Sequence, residues 1–378
     1  MADNPFNRPL IANYGAYYRL PFGVARSVED RIAASSGQFG YDESTRQFRL
    51  PPVGGRPEMT VFASASSSDT GLKYGPASIV SQTPLLTIVS RDSGQNLSIN
   101  ETVGGRLSVP IPLGDTKRLG VSIGPDLKRY LLESYNTNNF IITTVVTNSQ
   151  GSQTIESVVS SPQPSRANEV LYLPLSIGFD FLETDRSGSF SANLSLAGNA
   201  MGGADEFGAL AYSRDAKELY GKVTLTLTRE QKLFRQWSLL ARASGQTSTG
   251  PLLSTEQFAV GGLNSVRGYY EGDEYGDAGW FGSLEARTPF LTGRVPTWND
   301  YAPIWIRGSA FLDVGQRCLL DDAFGGNRTE SLLGTGVGIS ANINNLVDLR
   351  LTIGWPLLDT ANTPGRSPRA YFSLGGLF

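Results

Sequence analysis

The fold is decided by a segment near the middle of the chain, which reads LYLPLSIGFDFLE over residues 171–183. Every second residue from Leu171 to Phe181 is apolar, and the residues between them are Tyr, Pro, Ser, Gly and Asp. A period of two is typical of a β-strand with one apolar side. The segment therefore predicts a long strand at 170–183.

The same alternation returns at 219–228, 237–244 and 347–355. Strands of soluble sheets average about 5–6 residues, whereas membrane-spanning strands need about 9–11. These segments are of the longer kind, and their second face carries Lys222, Arg242 and many Thr, Ser and Gly residues. In a soluble sandwich the apolar face would be the core. Strand length instead favours a transmembrane β-barrel, in which the apolar face meets lipid and the polar face lines the interior.

Connections in the second half alternate between short turns, such as Thr184–Ser187, and long loops, as expected for an outer-membrane barrel. Only the Thr288–Pro303 connection breaks this alternation, because it is longer than the short turn expected on the periplasmic side. We predict a single all-β domain over 1–378, a sixteen-stranded antiparallel transmembrane β-barrel with a long extracellular loop, 246–279, folded into the lumen. The predicted strands are 11–20, 57–67, 84–91, 99–112, 118–133, 138–147, 152–160, 170–183, 188–197, 218–229, 233–246, 279–289, 303–315, 332–343, 346–357 and 370–378.

Composition excludes several other classes. The 378 residues include no His, so His-based catalytic triads and His metal ligands are absent. We find no nucleophile with a base, and we expect neither an enzyme nor a cofactor or metal. The net charge of −3 leaves no basic patch for nucleic acid. The lone Cys318 cannot form an internal disulfide, and no segment has the 18 or so apolar residues of a spanning helix. The start of the chain has no secretory signal, so we expect the natural signal peptide to be missing.

The predicted long loop contains FAVGGLNSVRGYYE at 258–271, followed by GDAG at 276–279. This stretch resembles the Omp85 superfamily of outer-membrane assembly and secretion barrels, whose sixth extracellular loop bears a Val-Arg-Gly-Tyr/Phe signature. Within that superfamily, the sequence of the motif most resembles that of the two-partner secretion transporters, the TpsB or hemolysin secretion/activation group. The motif residues are Gly261, Gly262, Ser265, Val266, Gly268 and Tyr269.

Two further pieces match the family. FLDVG at 311–315 resembles its Phe-x-Asp-x-Gly motif on a later strand. The last strand, with Phe372, Leu374 and the terminal Phe378, is similar to the signal by which the barrel-assembly machinery recognises its substrates. The resemblance covers 218–378, and before about 170 only the strand pattern supports it.

Parity places Asp313 and Glu285 on the inward face of neighbouring strands. A long, glycine-flanked loop can fold back inside, where Arg267 would find bidentate carboxylate acceptors. We therefore expect a loop-wall interaction of Arg267 with Asp313, with Glu285 as the second acceptor. The alternative is a solvent-facing Arg267 on a mobile loop.

The predicted loop also carries an acidic cluster, and the predicted strand 332–343 carries a run of alternating glycines. The acidic residues Glu271, Asp273, Glu274 and Asp277 lack the spacing of an EF-hand, so we expect a solvated loop rather than a Ca²⁺ site. The alternating Gly334, Gly336 and Gly338 are expected to leave room where a loop or plug packs against the wall.

The resemblance implies a Gram-negative outer-membrane channel that exports an unfolded partner protein without ATP. The implied partners are the lipid bilayer, a secreted or inserted protein and the barrel-assembly machinery. Members of the group receive cargo through periplasmic POTRA domains, and nothing before residue 11 could be one, so we expect no POTRA domain in this chain. The alternatives are an outer-membrane protein insertase of the same superfamily and a POTRA-less barrel that acts as a pore.

Overall fold

In a computed structural model of the protein, the described residues form an almost entirely β structure. They are residues 13–22, 40–42, 47–49, 56–69, 73–74, 77–148, 151–163, 166–211, 213, 215–296, 301–321, 328–344 and 346–376. The first two residues of the predicted strand 11–20, and Phe378, lie outside them. No helix among the described residues is long and apolar enough to cross a membrane.

The strands are numbered in chain order. They are β1 Asn13–Pro21, β2 Gly40–Asp42, β3 Gln47–Arg49, β4 Glu58–Asp69, β5 Lys73–Tyr74, β6 Ser78–Gln82, β7 Leu86–Pro112, β8 Lys117–Asn148, β9 Gly151–Pro162, β10 Arg166–Tyr172, β11 Leu175–Asp185, β12 Gly188–Asn199, β13 Tyr220–Lys232, β14 Ser238–Ser248, β15 Phe258–Val260, β16 Glu274–Gly276, β17 Ala278–Arg287, β18 Leu291–Pro296, β19 Tyr301–Cys318, β20 Thr329–Ile343, β21 Val347–Pro356 and β22 Arg369–Gly376. Helix α1 spans Ala204–Leu210, and a 3-10 turn spans Phe234–Gln236.

Eighteen strand segments of the described residues belong to one sheet, so the predicted count of sixteen is not confirmed. The segments 84–91 and 99–112 were predicted as two strands but are the single strand β7, and 118–133 and 138–147 are both part of β8. The polar residues between them interrupt the alternation but contain no proline, so the backbone stays extended. Conversely, the predicted strand 170–183 divides between β10 and β11 at Pro174, which has no N–H to donate to the ladder.

The predicted Thr288–Pro303 connection is wrong. Both β17 and β18 pair with β19, so the chain stays in the sheet as far as Pro296. Between the two segments, the Thr288 N–H donates to the Gly308 carbonyl oxygen at 2.9 Å. Pro289 interrupts the ladder there, which explains why the sequence suggested the end of a strand. With β17 and β18 in one position, β13 to β22 occupy seven successive antiparallel positions, as predicted for 218–378.

The chain divides into two compact units. The first consists of 1–15, 63–102 and 128–171, and in it Thr137–Asn148 of β8 pairs with β9. The second consists of 16–62, 103–127 and 172–378 and contains the antiparallel run from β11 to β22. Lys117–Pro125 of β8 pairs with β11 within this second unit.

In the second unit the two faces of the sheet are inverted relative to a soluble protein. Leu284 and Leu312 are 48% and 52% exposed. Their chain neighbours point to the other face and are buried: Ser283 and Glu285 flank Leu284, and Asp313 follows Leu312. The same apolar side exposes further large side chains: Leu225, Val337, Ile339, Leu351, Phe372 and Leu374. A large exposed apolar surface next to a buried polar face is what a sheet spanning a bilayer requires.

Candidate functional site

The candidate site is the long loop, residues 249–277, between β14 and β17, together with the polar face of the sheet on which it lies. Within the loop, β15 and β16 pair as a short antiparallel hairpin. Gly261 and Gly262 follow β15 with φ of 111° and 104°, and Gly268 has a φ of 106°. Side chains rarely adopt this backbone region, so these positions favour glycine.

Arg267 attaches the loop to the sheet. Its Nε donates to Asp313 Oδ2 at 2.7 Å and its Nη2 to Asp313 Oδ1 at 2.8 Å, a bidentate pair. Its Nη1 donates to Glu285 Oε2 at 2.5 Å, and its Nη2 also donates to Ser283 Oγ at 3.0 Å. The guanidinium carbon lies 3.4 Å from the centre of the Phe311 ring. Every guanidinium nitrogen of Arg267 is therefore engaged by the wall.

Burial makes this ion pair an energetic constraint. Arg267 is 3% exposed and Asp313 is fully buried. Removing one member of a buried pair leaves the other charge uncompensated, which typically costs about 3–5 kcal/mol. The second oxygen of Glu285 is engaged as well, because Arg287 Nε donates to Oε1 at 2.7 Å. Arg287 in turn lies 3.5 Å from Glu230, so the contact extends into a chain of ion pairs along the sheet.

Tyr269 secures the loop beside Arg267. Its hydroxyl oxygen lies within hydrogen-bond distance of two main-chain atoms, the Leu358 carbonyl oxygen at 2.9 Å and the Leu333 nitrogen at 3.2 Å. The Tyr371 hydroxyl accepts from the Gly268 N–H at 2.8 Å and donates to the Tyr269 carbonyl oxygen at 2.6 Å. The motif residue Val266 and the Tyr269 ring belong to a buried apolar cluster with four other side chains: Phe258, Val260, Phe281 and Leu332. The remaining motif hydroxyl, Ser265 Oγ, accepts from the Gly261 N–H at 2.8 Å.

Glycines of the sheet make room for the loop. A Cβ added at Gly334 would lie 2.0 Å from the Arg267 carbonyl oxygen, and one at Gly354 would lie 2.6 Å from the Gly268 nitrogen. The expectation for Gly334 is therefore confirmed. It is wrong for Gly336 and Gly338, where an added Cβ would meet other residues of the sheet, namely Ile353, Phe311, Ser309 and Thr352.

The acidic residues of the loop are not all solvated, contrary to expectation. Asp273 is 5% exposed and accepts from the hydroxyls of Thr360 at 2.5 Å and Thr363 at 2.8 Å. Its burial raises its pKa. Asp277 is 2% exposed and accepts from the main-chain N–H groups of Leu252 at 2.8 Å and Leu320 at 2.9 Å. These carboxylates fasten the loop internally and to its neighbours.

The other two acids also have partners. Glu271 Oε1 accepts from the Leu263 N–H at 2.7 Å, and Glu274 Oε2 accepts from Arg317 Nε at 3.0 Å. Burial raises the pKa of Glu274. Among the described residues, no group of three or more His, Cys, Asp or Glu side chains could hold a metal ion.

A second attachment point, at Glu256, was missed from the sequence. Lys222 Nζ lies 2.6 Å from Glu256 Oε2, and both side chains are at most 5% exposed. The Tyr172 hydroxyl donates to Glu256 Oε1 at 2.8 Å, and Gln246 Nε2 donates to the Glu256 carbonyl oxygen at 2.9 Å. The inward parity of Lys222 was visible in β13, but nothing distinguished Glu256 from the other loop acids.

Helix α1, also not predicted, packs against this first arm of the loop. Phe207 of α1 meets the Tyr172 ring edge-on at a centroid distance of 5.7 Å, and Ala211 forms an isolated β-bridge with Leu253. Phe207, Leu252 and Leu253 are at most 1% exposed. The loop is therefore held from two sides, by the sheet and by α1.

Of the predicted C-terminal assembly residues, Phe372 and Leu374 are 67% and 64% exposed on the apolar side of β22. The structure does not bring them together with Arg267, Asp313 and Glu285, which are buried on the polar face. Phe378 lies outside the described residues.

An Omp85 superfamily domain model matches residues 77–378. Among solved structures, CdiB from Escherichia coli is similar, with a TM-score of 0.46 and 16% identity over 91% of this chain and 68% of that chain. BamA from Haemophilus ducreyi lacking POTRA domains 1–3 gives 0.40 and 12% over 84% and 68%, and CdiB from Acinetobacter baumannii gives 0.39 and 13% over 96% and 65%. No curated protein matches the sequence.

The family model spans most of the chain and includes the long loop, strand β19 with Asp313, and the last strand. The inverted faces of the sheet agree with an outer-membrane protein. The chain belongs to the Omp85 superfamily, bacterial outer-membrane β-barrels with translocase-type or insertase-type function.

Proposed function

We propose that this chain is the channel of a two-partner secretion transporter, which exports one unfolded partner protein across the outer membrane without ATP. The domain is a single barrel whose long loop lies inside the lumen and is held there by Arg267, Asp313 and Glu285. The natural partners are the lipid bilayer, the exported protein and the assembly machinery that reads the last strand.

The observation that carries the proposal is the attachment of the loop by the buried Arg267–Asp313 pair. A passive pore has no need to hold a long loop on its polar face through so many buried contacts. A gated transporter does, because the loop must be fixed in one state and released or reshaped in another. The Gly-Gly-x-x-Ser-Val-Arg-Gly-Tyr motif at 261–269 supports a two-partner secretion transporter rather than an insertase.

The alternative is an outer-membrane protein insertase, which would use the same loop and the same sheet. Its basis is membership of the superfamily, which includes both activities. The two functions differ in product: a transporter moves a chain through the membrane, whereas an insertase leaves a folded barrel within it.

The test uses vesicles reconstituted with this chain. An unfolded, dye-labelled polypeptide is added outside, and its protection from added protease reports entry. In parallel, a urea-unfolded eight-stranded outer-membrane protein is added, and its heat-modifiable band reports accelerated insertion. Export predicts protease protection above that of empty vesicles and insertion at the empty-vesicle rate. Accelerated insertion without protected polypeptide would overturn the export proposal in favour of the insertase.

A further inference from the structure

Strand β9, Gly151–Pro162, has one edge without a partner strand. Among the described residues it ends the strand order of the large sheet, where β8 is its only neighbour. Its 12 residues pair with Thr137–Asn148 of β8 in one continuous register without a bulge. The main-chain N–H and C=O groups along the other edge of β9 therefore face outward, in position to pair with a further strand.

The sequence of β9 does not protect this edge. Proteins usually protect an open edge with charges, prolines, bulges or a very short strand. β9 has a single charged residue, Glu156, and its only proline, Pro162, is its last residue. Ile155, Val158 and Val159 are 52%, 60% and 51% exposed, and their parity places them on both faces of the strand. A long edge of this kind, rich in β-branched side chains, is typical of a strand that pairs with another chain.

The open edge lies in water rather than in lipid. Strand β8 has 32 residues, about three times the 9–11 that a membrane-spanning strand needs. An open edge does not occur within the hydrocarbon region, because its polar groups would have no partners there. The short connection 113–116 precedes β8, and short connections of outer-membrane barrels face the periplasm. The far end of β8, where β9 pairs, is therefore extracellular.

The sequence of β9 is complementary to itself. In an antiparallel pair, opposite residues both direct their N–H and C=O groups toward the partner or both direct them away, and the two classes alternate along the strand. A two-fold axis between two copies of β9 must therefore pass through a residue pair with the same number. The axes with the greatest overlap pass through Glu156 or Ser157.

Charge and apolar contacts decide between these two axes. An axis at Glu156 would place the two carboxylates directly opposite each other, which is destabilising. An axis at Ser157 instead places Ile155 opposite Val159, twice by symmetry, and Glu156 opposite Val158. Apolar β-branched pairs of this kind stabilise a sheet. The register centred on Ser157 is therefore the favoured one.

We propose that β9 is a homodimer interface, in which it pairs antiparallel with β9 of a second copy about a two-fold axis at Ser157. Such an interface uses the same surface of both copies, so it closes at two chains. It also covers an edge that would otherwise be open to any unfolded polypeptide. The inference does not rest on the proposed function, since a transporter and an insertase would present the same edge.

The first experiment tests the register by disulfide formation in a Cys318→Ser background, with the protein in detergent micelles. Ser157→Cys should give a linked dimer in high yield on oxidation, because the two thiols lie directly opposite each other. Ser161→Cys is the matched control. In this register it lies opposite Gln153, about 26 Å along the strand from its own copy, and it should stay monomeric. Ile155→Cys chains should link to Val159→Cys chains in a mixture, whereas each alone should link poorly.

The second experiment tests the same axis by charge. Ser157→Lys places two like charges opposite each other and should weaken association by about twofold to fivefold. Ser157→Glu should do the same, and an equimolar mixture of the two variants should restore association. Light scattering over a concentration series measures the dimer fraction, and the heat-modifiable band confirms that each variant is folded.

Three results would overturn the proposal. One is a parent that stays monomeric over the concentration series while Ser157→Cys fails to link. Another is equal linking of Ser157→Cys and Ser161→Cys, which would indicate random collision. The third is a monomer whose Ser157→Cys thiol is shielded from maleimide only after an unfolded polypeptide is added, which would assign the edge to a transported chain instead of a second copy.

Discussion

Asp313 holds Arg267 through both the side chain and the main chain of the arginine. In addition to its bidentate guanidinium contact, Asp313 Oδ2 accepts from the Arg267 backbone N–H at 3.0 Å. The carboxylate therefore fixes the path of the loop as well as the orientation of one side chain. Since Asp313 is fully buried, no water can substitute for either contact without rearrangement.

We predict that Arg267→Ala leaves the sheet assembled but releases the loop. The hydrogen-bonded wall does not depend on the loop, whereas the unpaired Asp313 carboxylate would cost about 3–5 kcal/mol if the loop stayed in place. Conductance in planar bilayers should rise or become unstable, and the loop should become sensitive to protease. Asp313→Asn should have a similar effect.

Two further variants check the mechanism of that loss. Arg267→Lys keeps the charge but not the planar fork, and it should be intermediate. The double variant of Arg267→Ala and Asp313→Asn should be little worse than either single change, because both break the same contact. Fully additive effects would contradict a shared interaction.

A second prediction concerns Gly334, the glycine of β20 against which the loop packs. Gly334→Ala should displace the loop, because the new Cβ would lie 2.0 Å from the Arg267 carbonyl oxygen. Overpacking of this kind costs about 1–3 kcal/mol, and thermal unfolding in detergent measures it. Gly105→Ala is the matched strand control, since an added Cβ there meets nothing within 4 Å. Equal stability of the two variants would show that the loop does not press on Gly334.

Sequence alone reached this part of the site for definite physical reasons. Strand parity placed Asp313 and Glu285 on the same face, and the motif directed attention to Arg267. Parity is local and needs no knowledge of distant contacts. Gly334 was identified in the same way, whereas Gly336 could not be separated from it, since both share one face and differ only in the neighbour that covers them.

A third prediction concerns the Glu256 attachment. Glu256→Gln retains an acceptor for Tyr172 but removes the buried carboxylate that pairs with Lys222, so it should destabilise the folded loop by about 3–5 kcal/mol. Lys222→Met should rescue part of this loss in the double variant, and a thermal-unfolding cycle measures the coupling. Glu206→Gln, exposed in α1, is the control. A coupling energy near zero would contradict the pair.

The Glu256 site was beyond sequence reasoning because its partners come from distant parts of the chain. Tyr172 ends β10, Lys222 is the third residue of β13 and Gln246 lies in β14. No period links a loop acid to three separate strands. The long strand β7 was misjudged for a related reason, since pairing with neighbouring strands keeps a polar segment extended that shows no alternation of its own.

A fourth prediction tests which side of the sheet faces lipid. Leu225→Arg should impair folding into bilayers by about 2–4 kcal/mol, because Leu225 is exposed on the apolar side. Thr226→Arg should be tolerated, since Thr226 lies on the polar face, 2.9 Å from Ser244 Oγ. The heat-modifiable fraction after folding into vesicles measures both. Equal damage from the two changes would count against the membrane orientation.

The most direct test of the central claim, that Arg267 holds the loop against β19, is a disulfide trap. A Cβ added at Gly315 would lie 2.9 Å from Val266 Cγ2, which Val266→Cys removes, and 2.7 Å from Val260 Cγ1, which Val260→Ala removes. Val266→Cys with Gly315→Cys, in a Cys318→Ser and Val260→Ala background, therefore brings two thiols within bonding reach. Oxidation in vesicles should form the bond in high yield when Arg267 is intact and in much lower yield when Arg267→Ala is added. If the bond fails to form with Arg267 present while both thiols react with a membrane-impermeant maleimide, or if its yield does not depend on Arg267, the account is contradicted.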